Sequence, residues 1–253
     1  MQLANPVRDS LLRGDVTLGV FITMPSPEVV EISALAGFNF VLLDAEHGPI
    51  SPESAYPMIL AAESRGIPAL ARIGQNDRQV ILKFLDLGIA GVMIPRTESA
   101  EDARQAVEAM RYHPRGVRGL AGNRLFDYGL GAPPKELVPA INDRVLSIIQ
   151  FEHINALANL DALLETPDLD VLFVGPNDLA QSMGFPGEPT HPEVQAVVDR
   201  VCAAARGGAV VLGTVAADAA AAQRQIDRGF RMVVASAATL LGRASREFTA
   251  AVR

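Results

Sequence analysis

The stretch LDLGIAGVMIP, residues 85–95, contains the pattern that decides the fold. A helix-like segment ends at Gly88, and a short run of apolar and β-branched residues begins within three residues of it. Glycine suits the left-handed conformation that closes a helix, so the stretch predicts a helix C-terminus that leads into a strand. The same pattern recurs at Gly37, Gly66, Gly207 and Gly229. The sequence therefore predicts a repeated alternation of helices and strands.

The spacing of these glycines indicates a repeated unit. Gly66 and Gly88 are 22 residues apart, and so are Gly207 and Gly229, which is about the length of one helix, one strand and two short loops. The predicted strands are nearly continuous apolar runs, which is typical of parallel strands covered by helices. We expect eight strands, near residues 17–24, 40–46, 68–73, 91–96, 145–151, 171–175, 209–214 and 231–235.

Eight strands alternating with helices favour one architecture. In a chain of 253 residues they predict an α/β fold, a (β/α)8 TIM barrel that forms a single domain over residues 1–253. An open doubly wound sheet is the alternative. No Gly-x-Gly-x-x-Gly follows the first predicted strand and the chain has no P-loop, which weakens the nucleotide-binding form of that alternative.

Composition excludes several classes of protein. The net charge is −7, so the chain lacks the basic surface that nucleic-acid binding requires. Arg8, Asp9, Arg13 and Asp15 lie where a signal peptide would be apolar, and no segment approaches ~18 uninterrupted apolar residues. We therefore expect a cytoplasmic protein that does not bind membranes. The single cysteine, Cys202, excludes an internal disulfide and is expected to pack inside a helix.

Polar side chains collect where the predicted strands end. The carboxyl ends of barrel strands form one rim, which carries the active site in enzymes of this fold. Five strands that each bring such residues to one rim indicate a catalytic site rather than unrelated strand caps. The residues are Asp44, Glu46 and His47 after strand two, Arg72 after strand three, Arg96 after strand four, Gln150 and Glu152 after strand five, and Asp178 after strand six.

Glu152 and Asp178 are the candidate metal ligands. They offer hard oxygen atoms from neighbouring strands, which suits Mg²⁺ or Mn²⁺ with substrate or water in the remaining positions. A zinc site is disfavoured because the chain has one cysteine and no paired histidines. The two lysines, Lys83 and Lys135, lie away from strand ends, which disfavours a Schiff-base mechanism.

Other rim residues suit enolate chemistry next to a carboxylate. Arg72 presents a planar fork of donors for a carboxylate or a developing enolate oxygen. The backbone that follows Gly175 and Pro176 could hold a substrate carboxylate. The imidazole of His47 is a candidate general base, and the neighbouring acid Asp44 could orient it. A metal, an oxyanion-stabilising arginine and a base together favour an enolate-forming enzyme.

Five stretches of the sequence resemble one family. They are LLDAEHGP, ARIGQND, GVMIPRTESAEDARQAVEAMRYHPRGVRG, QFEHINALANLDALL and DVLFVGPNDLAQSMGFPG. In this order they resemble the HpcH/HpaI aldolases, the metal-dependent class II pyruvate aldolases. The resemblance implies a (β/α)8 barrel whose last helix is exchanged with a neighbouring subunit, in a homohexamer built as a trimer of dimers. It also implies reversible cleavage of 4-hydroxy-2-oxo acids to pyruvate and an aldehyde, through a pyruvate enolate bound to Mg²⁺, Mn²⁺ or Co²⁺, as in aromatic or sugar acid catabolism.

The resemblance also implies roles for individual residues. Glu152 and Asp178 would bind the metal, in agreement with their chemistry. Arg72 would bind the C2 oxygen of pyruvate and stabilise the enolate. His47 would act as acid and base, through a water molecule on the metal, and Asp44 would hold this part of the site.

Further residues of the site follow from the same resemblance. Gln150 and the backbone of Gly175, Pro176 and Asn177 would complete the pyruvate pocket. Asp86, in the LDLG stretch, would act from an adjoining subunit toward the histidine, although the sequence by itself indicates only a charge on a helix surface.

The sequence departs from the family where the aldehyde should bind. Members often have a tryptophan near the position of Phe21, and the irregular segment 114–134 lacks their usual Ser-Arg-Ala pattern. Phe21, Arg124 and Tyr128 could reshape the aldehyde site, or could serve packing or an interface. Two other functions stay open: a citrate-lyase-like or malyl-CoA-type lyase of the same superfamily, and a non-catalytic oxo-acid binding protein.

Overall fold

The strands of the molecule close into a barrel. The computed structural model describes residues 4–252. Each strand pairs in parallel with the next along the chain, and the last pairs with the first, which confirms the expected (β/α)8 barrel. The strands, β1 to β8 in chain order, are Thr17–Ile22, Phe40–Asp44, Ala69–Arg72, Gly91–Ile94, Leu146–Phe151, Val171–Val174, Val211–Val215 and Met232–Ser236.

Helices follow or precede every strand. Ser26, Ser51 and Ser99 accept backbone hydrogen bonds at helix starts, which satisfies donors that the first turn leaves unpaired. Short 3-10 segments cover Arg124–Gly129 and Ile154–Asn159. The α-helices, α1 to α11, are Pro6–Leu12, Pro27–Leu35, Pro52–Ser64, Arg78–Asp86, Ala100–Met110, Pro134–Arg144, Leu160–Leu164, Pro176–Ser182, Pro192–Ala204, Ala219–Asp227 and Ala237–Val252.

The glycines that close the helices explain the repeat in the sequence. All five have left-handed backbone, with φ between 74° at Gly66 and 109° at Gly229. An L side chain is strained in this conformation, so glycine is favoured at each helix end.

Apolar side chains fill two layers, one inside the barrel and one between the strands and the helices. Leu42 lies in the inner layer and Leu43 in the outer one, because successive residues of a strand face opposite sides. Gly19 makes room for the interior ring of Phe40, since a Cβ at Gly19 would lie 2.1 Å from Cζ of Phe40. The barrel interior is thus a packed core, and the space for a ligand lies at its rim.

The structure differs from the sequence predictions in two respects. The sequence patterns did not indicate α1, α6 and α8, because α1 and α8 have only seven residues each and α6 contains Pro134 and Pro139. β1, β2 and β4 end two residues before the predicted limits of 24, 46 and 96. The chain turns into rim loops at these points, and those loops carry site residues.

The last helix leaves an apolar surface uncovered. α11 lies beside β1 and β8 but buries none of its own residues. Leu241 and Phe248 are 61% and 72% exposed. The predicted exchange of this helix with a neighbouring subunit stays a prediction. Within residues 4–252, none of the helices combines the length and the apolar character that crossing a bilayer requires.

Candidate active site

The predicted rim residues meet at the carboxyl ends of the strands, around two adjoining cavities. The first cavity, of about 250 Å³, and the second cavity, of about 450 Å³, share His47 and Asp178. The second cavity is also lined by Glu46, Arg96 and Glu152. The first cavity brings together nine of the predicted residues: Phe21, Asp44, His47, Arg72, Gln150, Gly175, Pro176, Asn177 and Asp178.

Asp44 is the last residue of β2 and turns the chain into the rim. Its Oδ1 accepts the backbone N–H groups of Glu46 and His47, each at 3.2 Å. The predicted orientation of the His47 ring by Asp44 is wrong, because the Asp44 carboxylate is already engaged by these amides and by Arg72. The ring instead has Nε2 at 3.7 Å from Oε2 of Glu46, and its side chain is 59% exposed.

Arg72, at the end of β3, is held on three sides. It donates from Nε and Nη2 to the two oxygens of Asp44, at 3.0 and 2.6 Å. Its Nε also lies 3.3 Å from Oε2 of Glu46, and its guanidinium carbon lies 4.8 Å from the ring centroid of Phe21. These contacts fix the plane of the guanidinium before any substrate arrives.

Glu152 follows β5 and is the central acid of the site. Oε2 accepts a hydrogen bond from Nε2 of Gln150 at 2.8 Å, and Oε1 accepts the backbone N–H of Arg96 at 2.7 Å. Burial raises the pKa of Glu152 to about 7; the Arg96 amide opposes this rise, and the charges of Asp178 and Glu46 add to it. The site therefore crowds acidic groups in a place where water cannot fully solvate them.

Gly175 gives Glu152 its space. A Cβ at Gly175 would lie 3.0 Å from Cβ and 3.1 Å from Oε2 of Glu152. The backbone at Gly175 thus passes close enough to the carboxylate that any larger residue would press on it. This close approach is a steric reason for the glycine in the VGPND stretch.

Comparison with known proteins identifies the family of this chain. A family model described as HpcH/HpaI aldolase/citrate lyase matches residues 17–240. The chain belongs to the HpcH/HpaI aldolase/citrate lyase family. This confirms the resemblance that the five sequence stretches indicated.

The HpcH/HpaI family protein has similar relatives over nearly its whole length. It is 32% identical to a hydroxypyruvate/pyruvate aldolase from Cupriavidus necator, over 100% of this chain and 94% of the relative. It is 33% identical to a 2-keto-3-deoxy-L-rhamnonate aldolase from Klebsiella pneumoniae, over 94% of this chain and 89% of the relative. A solved structure of an HpcH/HpaI aldolase/citrate lyase family protein from Burkholderia cenocepacia matches with a TM-score of 0.93, at 30% identity, over 99% of this chain and all of the other.

These relatives settle the class of protein. They are named as aldolases that act on pyruvate-type oxo acids. The family protein is accordingly an enzyme, a carbon–carbon lyase of the pyruvate aldolase class, as the sequence predicted.

The carboxylates of the second cavity fit a divalent cation. Across residues 4–252, no three His, Cys, Asp or Glu side chains are placed to hold a metal together. Glu152 and Asp178 line the same cavity and remain the two candidate protein ligands, which would leave the other positions to substrate and water, as Mg²⁺ commonly allows. Burial, with a smaller contribution from the charges of Asp178 and Glu46, raises the pKa of Glu152, and a bound cation would favour the ionised carboxylate.

Two predicted site residues lie elsewhere in the single chain. Asp86, at the end of α4, accepts a hydrogen bond from Nη2 of buried Arg118 at 2.8 Å and lines neither cavity. Arg124 donates to Glu63 and to the carbonyl of Leu87, also away from both cavities. The structure of one chain does not bring Asp86 or Arg124 to the other site residues.

Glu46 and Arg96 are functional candidates to which the sequence gave no role. Glu46 lies between Arg72 and His47 and is only 12% exposed. Its position at the end of the FVLLDAEHGP stretch was the available signal. Arg96 supplies the amide that holds Glu152, a contact between residues 56 positions apart that no local pattern could indicate.

Proposed function

We propose that this enzyme reversibly cleaves 4-hydroxy-2-oxo acids to pyruvate and an aldehyde, with a divalent cation held by Glu152 and Asp178. The cation would be Mg²⁺, Mn²⁺ or Co²⁺, since these accept hard oxygen ligands. The observation that supports this most directly is that Arg72, fixed by Asp44, lines the same cavity as Asp178. An arginine suited to oxyanion stabilisation and one of the two candidate cation ligands therefore line the same pocket.

The first cavity would hold the oxo acid. Nη1 of Arg72 has no acceptor among residues 4–252, so it is available to the C2 oxygen of the substrate. The backbone amides of Asn177 and Asp178, at the start of α8, would receive the substrate carboxylate. Gln150 holds Glu152 through Nε2, and its buried Oε1 has no hydrogen-bond partner in the described residues, which leaves it an acceptor for a donor in the cavity.

The cleavage step needs a base and a place for the electrons. His47 would take the proton of the C4 hydroxyl, directly or through a water molecule, as the C3–C4 bond breaks and the aldehyde forms. The electrons of the C3–C4 bond form the C2=C3 double bond of the enolate, and the π electrons of the C2 carbonyl move to its oxygen, where Arg72 would stabilise the negative charge. When held by Glu152 and Asp178, a divalent cation would supply Lewis acidity that further stabilises the enolate. Return of a proton to C3 completes pyruvate.

The proposal extends to the assembly and location of the protein. We propose one barrel domain over residues 1–253 in a cytoplasmic homo-oligomer, a hexamer arranged as a trimer of dimers, with α11 exchanged between subunits. The exposed Leu241 and Phe248 on α11 support a protein partner for this helix. Asp86 would reach a neighbouring subunit's site only in such an assembly. Light scattering after size exclusion should give six times the mass of one chain, and a monomer would contradict the assembly.

Exchange of the methyl protons of pyruvate tests the proposed chemistry without knowledge of the aldehyde. Protein freed of metal is incubated with pyruvate in D₂O, and the methyl signal is followed by proton NMR before and after Mg²⁺ is added. We expect loss of the signal only with Mg²⁺, since enolate formation exposes C3 to deuterium. The methyl signal would contradict the proposal if it persisted with Mg²⁺ and also with Co²⁺ and Mn²⁺, both of which are paramagnetic and are removed before the spectrum is recorded.

A further inference from the structure

Arg96 has an unusual backbone conformation directly beside the proposed cation site. It follows β4 with φ of 50°, in the left-handed region that residues other than glycine rarely adopt. Its N–H donates to Oε1 of Glu152 at 2.7 Å. Strained backbone of this kind is concentrated at functional sites, where the surrounding contacts maintain it. The conformation thus ties the position of Arg96 to the central acid of the site.

The side chain of Arg96 lies at the second cavity without a partner. It lines the cavity together with Glu152 and Asp178. The residue is exposed, and within the described part of the chain its guanidinium makes no hydrogen bond or ion pair. In contrast, the other arginine of the rim, Arg72, has both its Nε and its Nη2 on Asp44.

The acids of the second cavity are already engaged by other groups. Glu46 lies 3.3 Å from Arg72 and 3.7 Å from the His47 ring. Glu98 lies 3.5 Å from the His153 ring.

Asn155 also donates a hydrogen bond to Glu98, at 2.9 Å. Glu152 and Asp178 are the ligands of the cation in the proposed function. The remaining positive group of the cavity, the guanidinium of Arg96, is therefore the one left without a negative partner.

We propose that Arg96 determines acceptor specificity by binding an anionic group, a carboxylate or a phosphate, at the far end of the aldehyde substrate. A guanidinium presents donors in a fork that matches two oxygen atoms of either group. The inference rests on the proposed function, because it concerns the second substrate of the same reaction.

The arrangement of the two cavities gives this acceptor its direction. His47 and Asp178 belong to both cavities, so the bond between the two substrates forms at their boundary. Pyruvate occupies the first cavity, and the acceptor extends from His47 into the second cavity. About 450 Å³ accommodates a small aldehyde with a charged terminal group beside Arg96.

Paired acceptors test the role of Arg96. Succinic semialdehyde is compared with butanal, and glyceraldehyde 3-phosphate with glyceraldehyde, each in the aldol direction with pyruvate and Mg²⁺. The measured quantity is the ratio of kcat/KM for the charged and the uncharged member of each pair. Both members use the same enolate, so the ratio cancels any general change in enolate formation. The pair with the larger ratio identifies the anion as carboxylate or phosphate.

Two substitutions and a control make the test specific. Arg96→Asn removes the charge while asparagine tolerates left-handed backbone, and Arg96→Lys keeps the charge. Arg200→Gln removes a positive charge from the exposed face of α9, outside both cavities. We expect the larger ratio to fall about tenfold or more in Arg96→Asn, to fall less in Arg96→Lys, and to keep its wild-type value in Arg200→Gln.

Several results would overturn the inference. They are a wild-type ratio near one for both pairs, an unchanged ratio in Arg96→Asn, and equal losses in Arg96→Asn and Arg96→Lys. Pyruvate methyl exchange by the wild-type enzyme distinguishes failure of acceptor recognition by Arg96 from failure of the proposed function. Exchange together with any of these results overturns acceptor recognition alone, whereas absence of exchange overturns the proposed function itself.

Discussion

Arg72 and Asp44 join β3 to β2 at the rim through two hydrogen bonds, from Nε to Oδ1 at 3.0 Å and from Nη2 to Oδ2 at 2.6 Å. The two residues are also direct partners in the strand register. The sheet itself thus places the arginine, and the carboxylate fixes the plane of its guanidinium. A donor that is oriented in advance stabilises developing negative charge without reorganising during the reaction.

Replacing Arg72 should therefore lower turnover strongly. We expect Arg72→Ala to reduce kcat by roughly 10²–10³-fold, the range found for loss of one oxyanion donor. Arg72→Lys keeps the positive charge but loses the planar pair of donors, so its kcat should lie between those of the alanine variant and the wild type. Pyruvate release measured with a coupled lactate dehydrogenase assay checks both. Near wild-type kcat in Arg72→Ala would remove this residue from the proposed step.

Asp44 should matter for stability as well as for activity. Both partners of the pair are buried, with Asp44 2% and Arg72 9% exposed. Asp44→Asn removes the carboxylate that binds both Nε and Nη2 of the buried arginine and leaves only Glu46 near it, which should lower the free energy of unfolding by about 3 kcal/mol. Urea unfolding followed by circular dichroism measures the change. A loss well under 1 kcal/mol would mean that the pair contributes orientation only.

The same substitution should change how stability depends on pH. Burial raises the pKa of Asp44, but the hydrogen bonds and charge of Arg72 and the amides of His47 and Glu46 outweigh it, so the pKa lies below the ordinary 3.8. A carboxyl group whose pKa is lower in the folded than in the unfolded protein stabilises the fold fully above pH 3.8. This stabilisation is lost as the pH falls through the pKa of the group in the folded protein. The stability difference between wild type and Asp44→Asn should hold near neutral pH and shrink below 3.8. Urea titrations across this range measure it, and a difference that grows in acid would contradict the ion pair.

Cation binding should depend on two of the four acids of the second cavity. We expect Glu152→Gln and Asp178→Asn each to abolish stoichiometric binding of Mn²⁺, because each removes one of two protein ligands. Glu98→Gln is the matched control, since Glu98 lines the same cavity but pairs with His153. Electron paramagnetic resonance of free Mn²⁺ measures occupancy. Retained binding in the first two variants, or loss in the control, would contradict the ligand assignment.

His47 should be needed for cleavage. We expect His47→Ala to slow cleavage of a 4-hydroxy-2-oxo acid by roughly 10²-fold or more, since the base for the C4 hydroxyl is lost. The pH profile of kcat/KM should also change shape, because a group that takes up the substrate proton is lost. Steady-state rates across pH check both effects. A rate and a profile equal to those of the wild type would assign the base to another group.

The sequence predicted the eight strands well because two physical constraints are visible in short stretches of the sequence. Buried parallel strands need unbroken apolar runs, and the preceding helices need glycine at their ends, as at Gly66 and Gly229. α8 escaped prediction because it begins at Pro176, immediately after Gly175, and those residues read as a turn.

The site could be predicted as a set of residues but not as a set of contacts. Barrel topology alone brings Arg72 and Asp178 to one rim. Neighbouring positions in sequence do not fix side-chain direction, which is why Asp44 holds Arg72 and not the His47 ring. The amide contact from Arg96 to Glu152 depends on where two distant loops lie, and only the structure supplies that.

The close approach of Gly175 to Glu152 gives the last prediction. Because Cβ of an alanine would lie 3.0 Å from Cβ and 3.1 Å from Oε2 of Glu152, Gly175→Ala should push the carboxylate away from its present position. Glu152 would then also lose alignment with Gln150, its donor at 2.8 Å. Displacing a group that orients a ligand typically weakens metal binding by about 10–100-fold, and we expect a loss of Mn²⁺ affinity in this range.

Gly119→Ala is the matched control, because its Cβ would meet only Cδ2 of Leu82 at 3.6 Å, an ordinary contact. The φ of Gly175 is −96°, so an alanine there brings no backbone strain and any effect arises from the contact with Glu152. Mn²⁺ titrations of both variants, with unfolding measured in parallel, distinguish a local from a general effect. If Gly175→Ala bound Mn²⁺ as tightly as Gly119→Ala, Glu152 would have to be free to move without cost, and the tight packing around this carboxylate would not determine cation affinity.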